Sequence, residues 1–182
     1  MKSKLSAVLV AAGCVLAVSP ANAISVTINP GATPSVPGAV LFDDFDSIPN
    51  TAIGTITGGV LNLGTAPADG NFIGAGSADP ASRNVTVTLT NRVSYVGFAW
   101  GTADPENEVD VYNGSTLLGS FSGNMSFFSF VSYFDIHAGP GEAITKLVLS
   151  DGPHGDCCFE TDNYSAIPVV SPAPSPVLAC PV

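Results

Sequence analysis

The sequence predicts an all-β protein, an antiparallel, jelly-roll-like β-sandwich of about eight or nine strands. Glycine and proline together make up 34 of the 182 residues, and they separate short runs in which apolar and polar residues alternate. That period of two is typical of strands, and no segment after residue 24 has the longer period of an amphipathic helix. The two observations together favour strands over helices throughout the domain.

Residues 1–23 have the pattern of a secretory signal peptide. Two lysines precede the apolar run Leu5–Val18, which is too short for a membrane span, and small residues at 21–23 suit cleavage. We predict export, with a mature chain that begins at Ile24. An alternative is a lipoprotein signal, in which Cys14 would be acylated and become the new amino terminus.

Charge limits the partners of the mature chain. Without the signal it keeps three basic residues, Arg83, Arg92 and Lys146, against 15 acidic ones, which gives a formal charge of −12. Nucleic acids and anionic membrane surfaces are themselves polyanions, so neither is expected as a partner. Divalent cations and neutral glycans remain compatible with this charge.

The predicted strands follow one another with turn residues between them. They lie at 25–28 within a lead-in of residues 24–39, at 41–46, 85–90, 96–100, 108–112, 117–121, 128–136, around 147–149, and at 158–164. Val85, Val87 and Leu89 alternate with threonines, and Phe98 and Trp100 share one face of the next strand. These side chains are predicted to face the core.

The remaining segments indicate turns, a loop and a tail. Asn113-Gly114 suits a tight hairpin turn. Residues 64–82, rich in glycine, alanine and proline, are predicted to form a loop, and the uncharged, proline-rich segment 167–182 is predicted to be an extended tail. The folded domain is therefore expected to span residues 24–166.

Three cysteines follow the predicted signal: Cys157, Cys158 and Cys180. Adjacent cysteines rarely bond to each other, so a disulfide between Cys180 and one of the pair is expected outside the cell. The third thiol would then stay free. Only His154 and Asp156 lie nearby in sequence as further zinc ligands, which is too few for a recognisable zinc site.

Three motifs accompany the export signal and the tail. They are Phe-Asp-Asp-Phe at 42–45, a Trp-Gly-Thr-Ala-Asp loop at 100–104 that leads into the Tyr-Asn-Gly hairpin at 112–114, and Phe-Glu-Thr-Asp-Asn-Tyr at 159–164. This combination resembles the exosortase-dependent, PEP-CTERM-type surface proteins of bacteria. The resemblance implies export, processing of the tail by an exosortase-type peptidase, and display or release at the cell surface. It also implies an association with exopolysaccharide and biofilms, but no particular reaction.

The tail departs from that family's sorting signal. Pro172, Ala173 and Pro174 stand where the family has Pro-Glu-Pro, and neither an apolar span nor a basic cluster follows before Val182. We interpret residues 167–182 as a truncated or degenerate sorting signal. As printed, the mature chain contains no membrane span.

Carboxylates are the candidate ligands of a structural calcium ion. Asp44 and Asp46 are expected on one face of the first core strand, and Glu160 and Asp162 on one face of the last. Because the first and last strands of a jelly roll are often neighbours, Asp44, Glu160 and Asp162 are predicted to bind calcium, which prefers oxygen ligands. The acidic loop 104–110 is a second candidate. The alternative is that these acids satisfy backbone donors or remain solvated.

Nothing in the sequence indicates catalysis. The histidines lack a recognisable nucleophile partner, and among 15 acids some close pair of carboxylates is inevitable, so such a pair does not identify a glycosidase. We predict no catalytic residues and no cofactor other than the possible calcium.

The sequence therefore predicts a non-enzymatic, exported protein of the cell surface or extracellular matrix. The alternative is a carbohydrate-binding β-sandwich module whose partner is an extracellular polysaccharide. If the calcium site predicted above exists, the bound ion would stabilise this module. The two differ in the placement of Tyr95, Tyr112, Tyr133 and Trp100. A binding module should expose several of these rings, whereas a structural domain should bury them.

Overall fold

The computed structural model of the chain describes residues 24–64, 67–68, 70–76, 83–101, 103–123, 131–152 and 159–169. Within these ranges the regular structure is entirely β, and every strand pairing is antiparallel. The strands are β1 (Ser25–Pro30), β2 (Val40–Asp43), β3 (Gly54–Gly58), β4 (Val60–Leu63), β5 (Asn71–Ala75), β6 (Asn84–Trp100), β7 (Asn107–Asn113), β8 (Thr116–Ser122), β9 (Ser132–His137), β10 (Ile144–Asp151) and β11 (Phe159–Pro168).

The strands form two layers that share β6. The first layer has the order β8-β7-β10-β6-β3 and uses residues 84–93 of β6. The second layer has the order β1-β9-β6-β11-β5-β4, with β2 beside the later part of β11, and uses residues 93–100 of β6. With 17 residues, β6 is long enough to pass from one layer into the other.

The hydrophobic core lies between the two layers. Phe121 of β8 contacts Phe134 of β9 with ring centroids 6.0 Å apart, and these strands belong to different layers. Trp100 stacks on Phe159 at 4.5 Å, which adds a favourable aromatic contact to the burial of both rings. The other buried core residues include Val85, Val87, Leu89, Phe98, Val109, Val111, Ile136, Ile144, Leu147 and Leu149. The core positions predicted on β6 are thus confirmed.

The predicted all-β, jelly-roll-like sandwich is confirmed, but several details differ, and β3, β4 and β5 were not predicted. The described residues contain eleven strands. The runs predicted at 85–90 and 96–100 are one continuous strand, β6. The loop predicted at 64–82 is wrong in part, because β5 lies within it and contributes Ile73 and Ala75 to the core.

The first core strand is shorter than predicted, since β2 ends at Asp43. The carboxylate of Asp43 accepts a hydrogen bond of 3.1 Å from the amide of Phe45, and that of Asp44 accepts one of 2.9 Å from the amide of Ser47. Aspartate side chains that bond to the following backbone favour turns, and Phe45 has a φ of +55°. The expectation that Asp44 and Asp46 share a strand face is therefore wrong.

Candidate functional site

Most of the aromatic residues that the sequence analysis singled out are buried. Trp100 points into the core and is 0% exposed, while Tyr95 and Tyr133, on the outer face of the second layer, are 1% and 0% exposed. Tyr112 is half-buried. These four residues therefore do not form the exposed aromatic surface expected of a binding module, and the burial of three of them is what was expected of a structural domain.

The later part of the lead-in, residues 31–39, covers part of the second layer's outer face. Ala32, Val36 and Ala39 pack against the cluster that contains Tyr95 and Tyr133. Hydrogen bonds through Asn163 connect residues 31–39 to this cluster. The hydroxyl of Tyr133 donates to the backbone carbonyl of Asn163 at 2.7 Å, and the side-chain amide of Asn163 donates to the backbone carbonyl of Ala32 at 3.1 Å. Tyr95 and Tyr133 are therefore covered and not available to a ligand in this conformation.

Another part of the same face carries an open groove, which we call the Phe72 groove. It has a volume of about 270 Å³ and is lined by Val60, Asn62, Phe72, Gly74, Ala75, Gly76 and Glu160.

Strand register brings the groove's side chains together. Phe72 pairs with Asn62 across β5 and β4, and Glu160 of β11 pairs with Gly74 of β5. Because residues two apart in a strand share a face, Phe72 and Gly74 face the same side. A Cβ atom at Gly74 would lie 3.2 Å from the amide nitrogen of Asn62, so the glycine keeps the centre of the groove open.

The groove combines an aromatic ring with hydrogen-bonding groups. Phe72 and Glu160 are half-buried. The amide of Asn62 donates one bond of 3.0 Å to the carbonyl of Val60, and an amide has a second donor hydrogen and an acceptor oxygen to offer. Glu160 is the one carboxylate among the described lining residues, whereas glycoside hydrolysis usually needs two. The arrangement is therefore suited to binding a hydroxylated ligand.

Phe72 was not among the predicted site residues, because residues 64–82 were predicted to form a loop. The available signal was the run Asn71-Phe72-Ile73, which places two large apolar residues after Gly70. Alternation is hard to recognise there because Gly74 and Ala75 carry almost no side chain. Glu160 was selected, but as a metal ligand.

The predicted calcium ligands occupy three different settings. Asp44 lies in an exposed turn, where burial acts to raise the pKa of its carboxyl but the hydrogen bonds from Ser47 and Asp46 hold it below its usual value. Asp162 is buried and accepts a bond of 2.7 Å from the amide of Asn163.

Glu160 lines the Phe72 groove. The part of the chain that the structure describes holds no group of three or more acidic, histidine or cysteine side chains able to hold a metal ion. The expectation that the first core strand lies beside the last one is confirmed, since Leu41 of β2 pairs with Ser165 of β11. The calcium site itself stays a prediction.

The acidic loop contributes to the outer face of the first layer. Asp110 accepts hydrogen bonds from the hydroxyls of Tyr112, at 3.0 Å, and of Ser120. The hydrogen bond to Asp110 raises the pKa of Tyr112, and the ammonium group of Lys146 lies 4.0 Å from the centre of the same ring. One side of the Tyr112 ring is therefore occupied by a cation from the protein itself.

Several sequence predictions fall outside the described residues. These are the signal peptide, the cysteines Cys157, Cys158 and Cys180, and the tail motif Pro172, Ala173 and Pro174. Among the residues that are described, no helix is both long and apolar enough to cross a membrane.

Comparisons with known proteins give little further guidance. No protein-family model matches the chain, and no curated protein matches it. Among solved structures it is similar to a β-1,3-glucan-binding CBM6 from Bacillus halodurans, at 15% identity, with 65% of this chain and 91% of that chain covered and a TM-score of 0.37. A likeness at this TM-score carries no argument about fold or ligand, so the description of the sandwich depends on this chain's own strand pairings.

Proposed function

We propose that this chain is a non-enzymatic, exported protein of the cell surface or extracellular matrix that binds a neutral polysaccharide through the Phe72 groove. The observation that supports this proposal is that an aromatic ring, a carboxylate and a side-chain amide, those of Phe72, Glu160 and Asn62, line one open groove. The signal-peptide pattern of residues 1–23 supports the extracellular setting.

A sugar ring presents two kinds of surface, an apolar face of C–H groups and an edge of hydroxyls. The ring of Phe72 offers a flat apolar surface to the first. Glu160 can accept hydrogen bonds from hydroxyls, and charge-assisted bonds of this kind are stronger than neutral ones. Asn62 can both donate and accept. A few polar groups around an apolar surface are typical of small-ligand sites.

Charge favours a neutral polysaccharide over an acidic one. The predicted mature chain has a formal charge of −12, and the groove itself contains Glu160 and no described basic residue. An acidic polysaccharide would be repelled both by the protein as a whole and by this carboxylate. On this proposal Glu160 both accepts hydrogen bonds from the hydroxyls and disfavours acidic polysaccharides.

The test is affinity electrophoresis of the purified protein in gels that contain soluble neutral glucans or mannans, with alginate as an acidic control. We expect retardation by a neutral polysaccharide and none by alginate. Phe72→Ala should weaken binding about tenfold, since losing an aromatic contact is worth roughly 1.4 kcal/mol. Incubation with the same polysaccharide should release no new reducing ends.

A matched control separates the groove from a general effect of exposed aromatic rings. Tyr112→Ala removes a half-buried ring from the other layer and should leave retardation unchanged. Circular dichroism of each variant checks that the fold is retained. Retardation lost in Tyr112→Ala but kept in Phe72→Ala would contradict the proposed groove, and no retardation by any neutral polysaccharide would contradict the function.

The resemblance to exosortase-dependent proteins is the reason to propose that an exosortase-type peptidase processes the tail around Pro172, Ala173 and Pro174. On this proposal the polysaccharide is one that the producing cell exports. Mass spectrometry of the protein recovered from its native host tests the processing. A carboxy terminus within residues 167–181 is expected, and recovery of the chain with Val182 still present would contradict it.

A further inference from the structure

The later part of the lead-in, residues 31–39, is a thin cover. It buries Tyr95 and Tyr133 almost completely, although none of its own nine residues is buried. Its apolar contacts with the cluster that contains these rings are made by three small side chains, those of Ala32, Val36 and Ala39. Since the free energy of burial scales with apolar area, these contacts hold the segment only weakly.

The 31–39 segment also has few backbone bonds and a glycine near each end. In the described part of the chain, one backbone hydrogen bond of 3.1 Å joins it to a neighbouring segment, from the amide of Gly31 to the carbonyl of Val131. Gly31 and Gly38 have φ angles of +105° and +84°, and a Cβ atom at either position would meet nothing within 4 Å. Glycine changes its backbone angles at little cost, so both positions suit hinges.

The surface beneath the segment combines aromatic rings with a carboxylate. Tyr95 and Tyr133 both lie against Gly97, where a Cβ atom would come within 2.7 Å of each side chain. The carboxylate of Asp135, on the neighbouring strand β9, accepts a hydrogen bond from the hydroxyl of Tyr95. Such a surface offers a sugar both a flat apolar face and a strong hydrogen-bond acceptor.

The contacts of the segment imitate those of a sugar. The hydroxyl of Ser35 donates to Oδ2 of Asp135 at 2.9 Å, as a sugar hydroxyl would. The carbonyl of Ala32 accepts a bond of 3.1 Å from the amide of Asn163, and a hydroxyl accepts in the same way. If the segment moved away, Asp135 would keep a second donor to Oδ2, the amide of Asn29 at 2.7 Å. Opening therefore leaves this buried carboxylate hydrogen-bonded.

The covered surface and the Phe72 groove share one face of the second layer. Asp162 of β11 pairs with Ala99 of β6, which pairs with Tyr133 of β9. Glu160, two residues before Asp162 on the same face of β11, lines the groove. Strand dimensions place the backbone of Tyr133 roughly 12 Å from that of Glu160. One oligosaccharide of several sugar units would therefore reach both.

We propose that residues 31–39 form a lid over a second polysaccharide subsite, built on Tyr95, Tyr133 and Asp135, which extends the Phe72 groove when the lid opens. This inference rests on the proposed function, since the ligand is the same neutral polysaccharide. A short ligand occupies the groove alone, whereas a longer one must displace the lid. The apparent affinity for the longer ligand is therefore reduced by the fraction of molecules in which the lid is open.

Opening is measured first without ligand, from the rates at which hydroxyl radicals oxidise each tyrosine ring of the purified protein. Tyr164 is the matched control, because it is equally buried but lies in the core between the layers. Local opening needs less free energy than global unfolding, so Tyr95 and Tyr133 should be oxidised at least about tenfold faster than Tyr164. The half-buried Tyr112 should react fastest. Equal rates for Tyr95, Tyr133 and Tyr164 would overturn the lid.

Two variants within the segment connect this opening to the lid's own contacts. Ser35→Ala removes the hydrogen bond to Asp135, and Thr33→Ala changes another exposed residue of the segment as a control. Losing one hydrogen bond should raise the oxidation rates of Tyr95 and Tyr133 about fivefold in Ser35→Ala. Thr33→Ala should leave both rates unchanged. An equal effect of the two variants would contradict the role of Ser35 in holding the lid closed.

Binding is then measured by calorimetric titration with gluco- and manno-oligosaccharides of two and six sugar units. Ser35→Ala should tighten hexasaccharide binding by the same factor of about five, because more molecules have an open lid. Disaccharide binding should not change, since the disaccharide fits in the Phe72 groove beside the closed lid. A residue with a purely structural role would not separate the two lengths in this way. Hexasaccharide affinity that is unchanged or weaker in Ser35→Ala would overturn the subsite.

Proteolysis reports the position of the lid in the complex. Elastase, whose specificity pocket accepts small side chains, should cut within residues 31–39 faster when the hexasaccharide is bound and at an unchanged rate with the disaccharide. If both lengths bind but neither speeds this cleavage, the lid is wrong and the Phe72 groove stands. If neither length binds, the proposed function and the subsite are both contradicted.

Discussion

The hydroxyl of Tyr95 donates a hydrogen bond of 2.6 Å to Oδ1 of Asp135, and both residues are buried. The other carboxylate oxygen accepts bonds from the amide of Asn29, at 2.7 Å, and from the hydroxyl of Ser35, at 2.9 Å. A buried carboxylate needs such donors to offset its lost hydration. Asp135 thereby joins β1, β6, β9 and the lead-in at one point on the second layer.

Removing this carboxylate should loosen the lead-in. Asp135→Ala leaves three donors without their acceptor, and we expect the free energy of unfolding to fall by about 2–4 kcal/mol. Tyr95→Phe removes one bond and should cost about 1–2 kcal/mol. Urea denaturation measures both, and limited proteolysis should cut Asp135→Ala faster within residues 31–39.

Tyr112 is a matched control for Tyr95, because it also donates to an aspartate but lies on the outer face of the first layer. Tyr112→Phe should leave the free energy of unfolding almost unchanged, since surface polar contacts contribute little. If Tyr95→Phe and Tyr112→Phe lowered the free energy of unfolding equally, burial would not be what makes the hydrogen bond to Asp135 stabilising.

Gly97 is predicted to tolerate no side chain. A Cβ atom there would lie 2.7 Å from Cε1 of Tyr133 and 3.0 Å from the carbonyl oxygen of Phe134, closer than atoms normally approach. Gly97→Ala should therefore lower the free energy of unfolding by about 1–3 kcal/mol through overpacking. The hydroxyl of Tyr95 would lie 2.5 Å from the same Cβ, so combining Gly97→Ala with Tyr95→Phe should cost less than the sum of the two. Strict additivity in urea denaturation would contradict this contact.

Tyrosine ionisation should be suppressed in the folded protein. Burial raises the pKa of Tyr95, Tyr133 and Tyr164, and the hydrogen bond to Asp110 raises that of Tyr112. Below about pH 10 the tyrosines are neutral in both the folded and the unfolded state, so their contribution is fully present. Above that pH the unfolded chain loses protons that the folded chain retains, and stability falls as pH rises.

The measurement is an alkaline titration followed by tyrosinate absorbance, with circular dichroism in parallel. We expect Tyr95, Tyr133 and Tyr164 to ionise together with unfolding. Ionisation of Tyr95, Tyr133 and Tyr164 at the ordinary pKa, in a chain that is still folded, would contradict the burial of these side chains.

The calcium hypothesis makes a separate prediction. If Asp44, Glu160 and Asp162 bind calcium, millimolar calcium should raise the Tm, by an amount equivalent to about 2.7 kcal/mol at a hundred times the Kd. Asp44→Asn should reduce the shift, and magnesium should give a smaller one because it requires a tighter octahedral site. An unchanged Tm with calcium would remove the hypothesis.

The continuous strand β6 shows what alternation can and cannot determine. Val85, Val87 and Leu89 were predicted to face the core because their neighbours are threonines, and the structure confirms this. The joining of the two predicted strands was not predictable, since each half pairs with different partners in a different layer. Local pattern reports which face of a strand is apolar, and says nothing of which strands lie beside it.

Small residues and turns account for the other differences. β5 was missed because Gly74 and Ala75 give almost no side-chain signal, although its register places Phe72 beside Asn62. The end of β2 was misplaced because an alternating sequence cannot show that Asp44 bonds to the amide of Ser47. The pairing of β5 depends on contacts made after the chain has folded, whereas the turn at Asp44 is local and follows from aspartate turn chemistry.

By itself the sequence determined the fold class and the faces of its clearest strands, since a period of two has one structural meaning. Only the tertiary structure decided which outward-facing aromatic rings are covered. Tyr95 and Tyr133 alternate away from the core and would be exposed in an isolated sheet, yet residues 31–39 bury them. Phe72 lies on the same outer face beyond that cover. Whether a ring is free to meet a ligand depends on a segment distant in the chain, which no local pattern encodes.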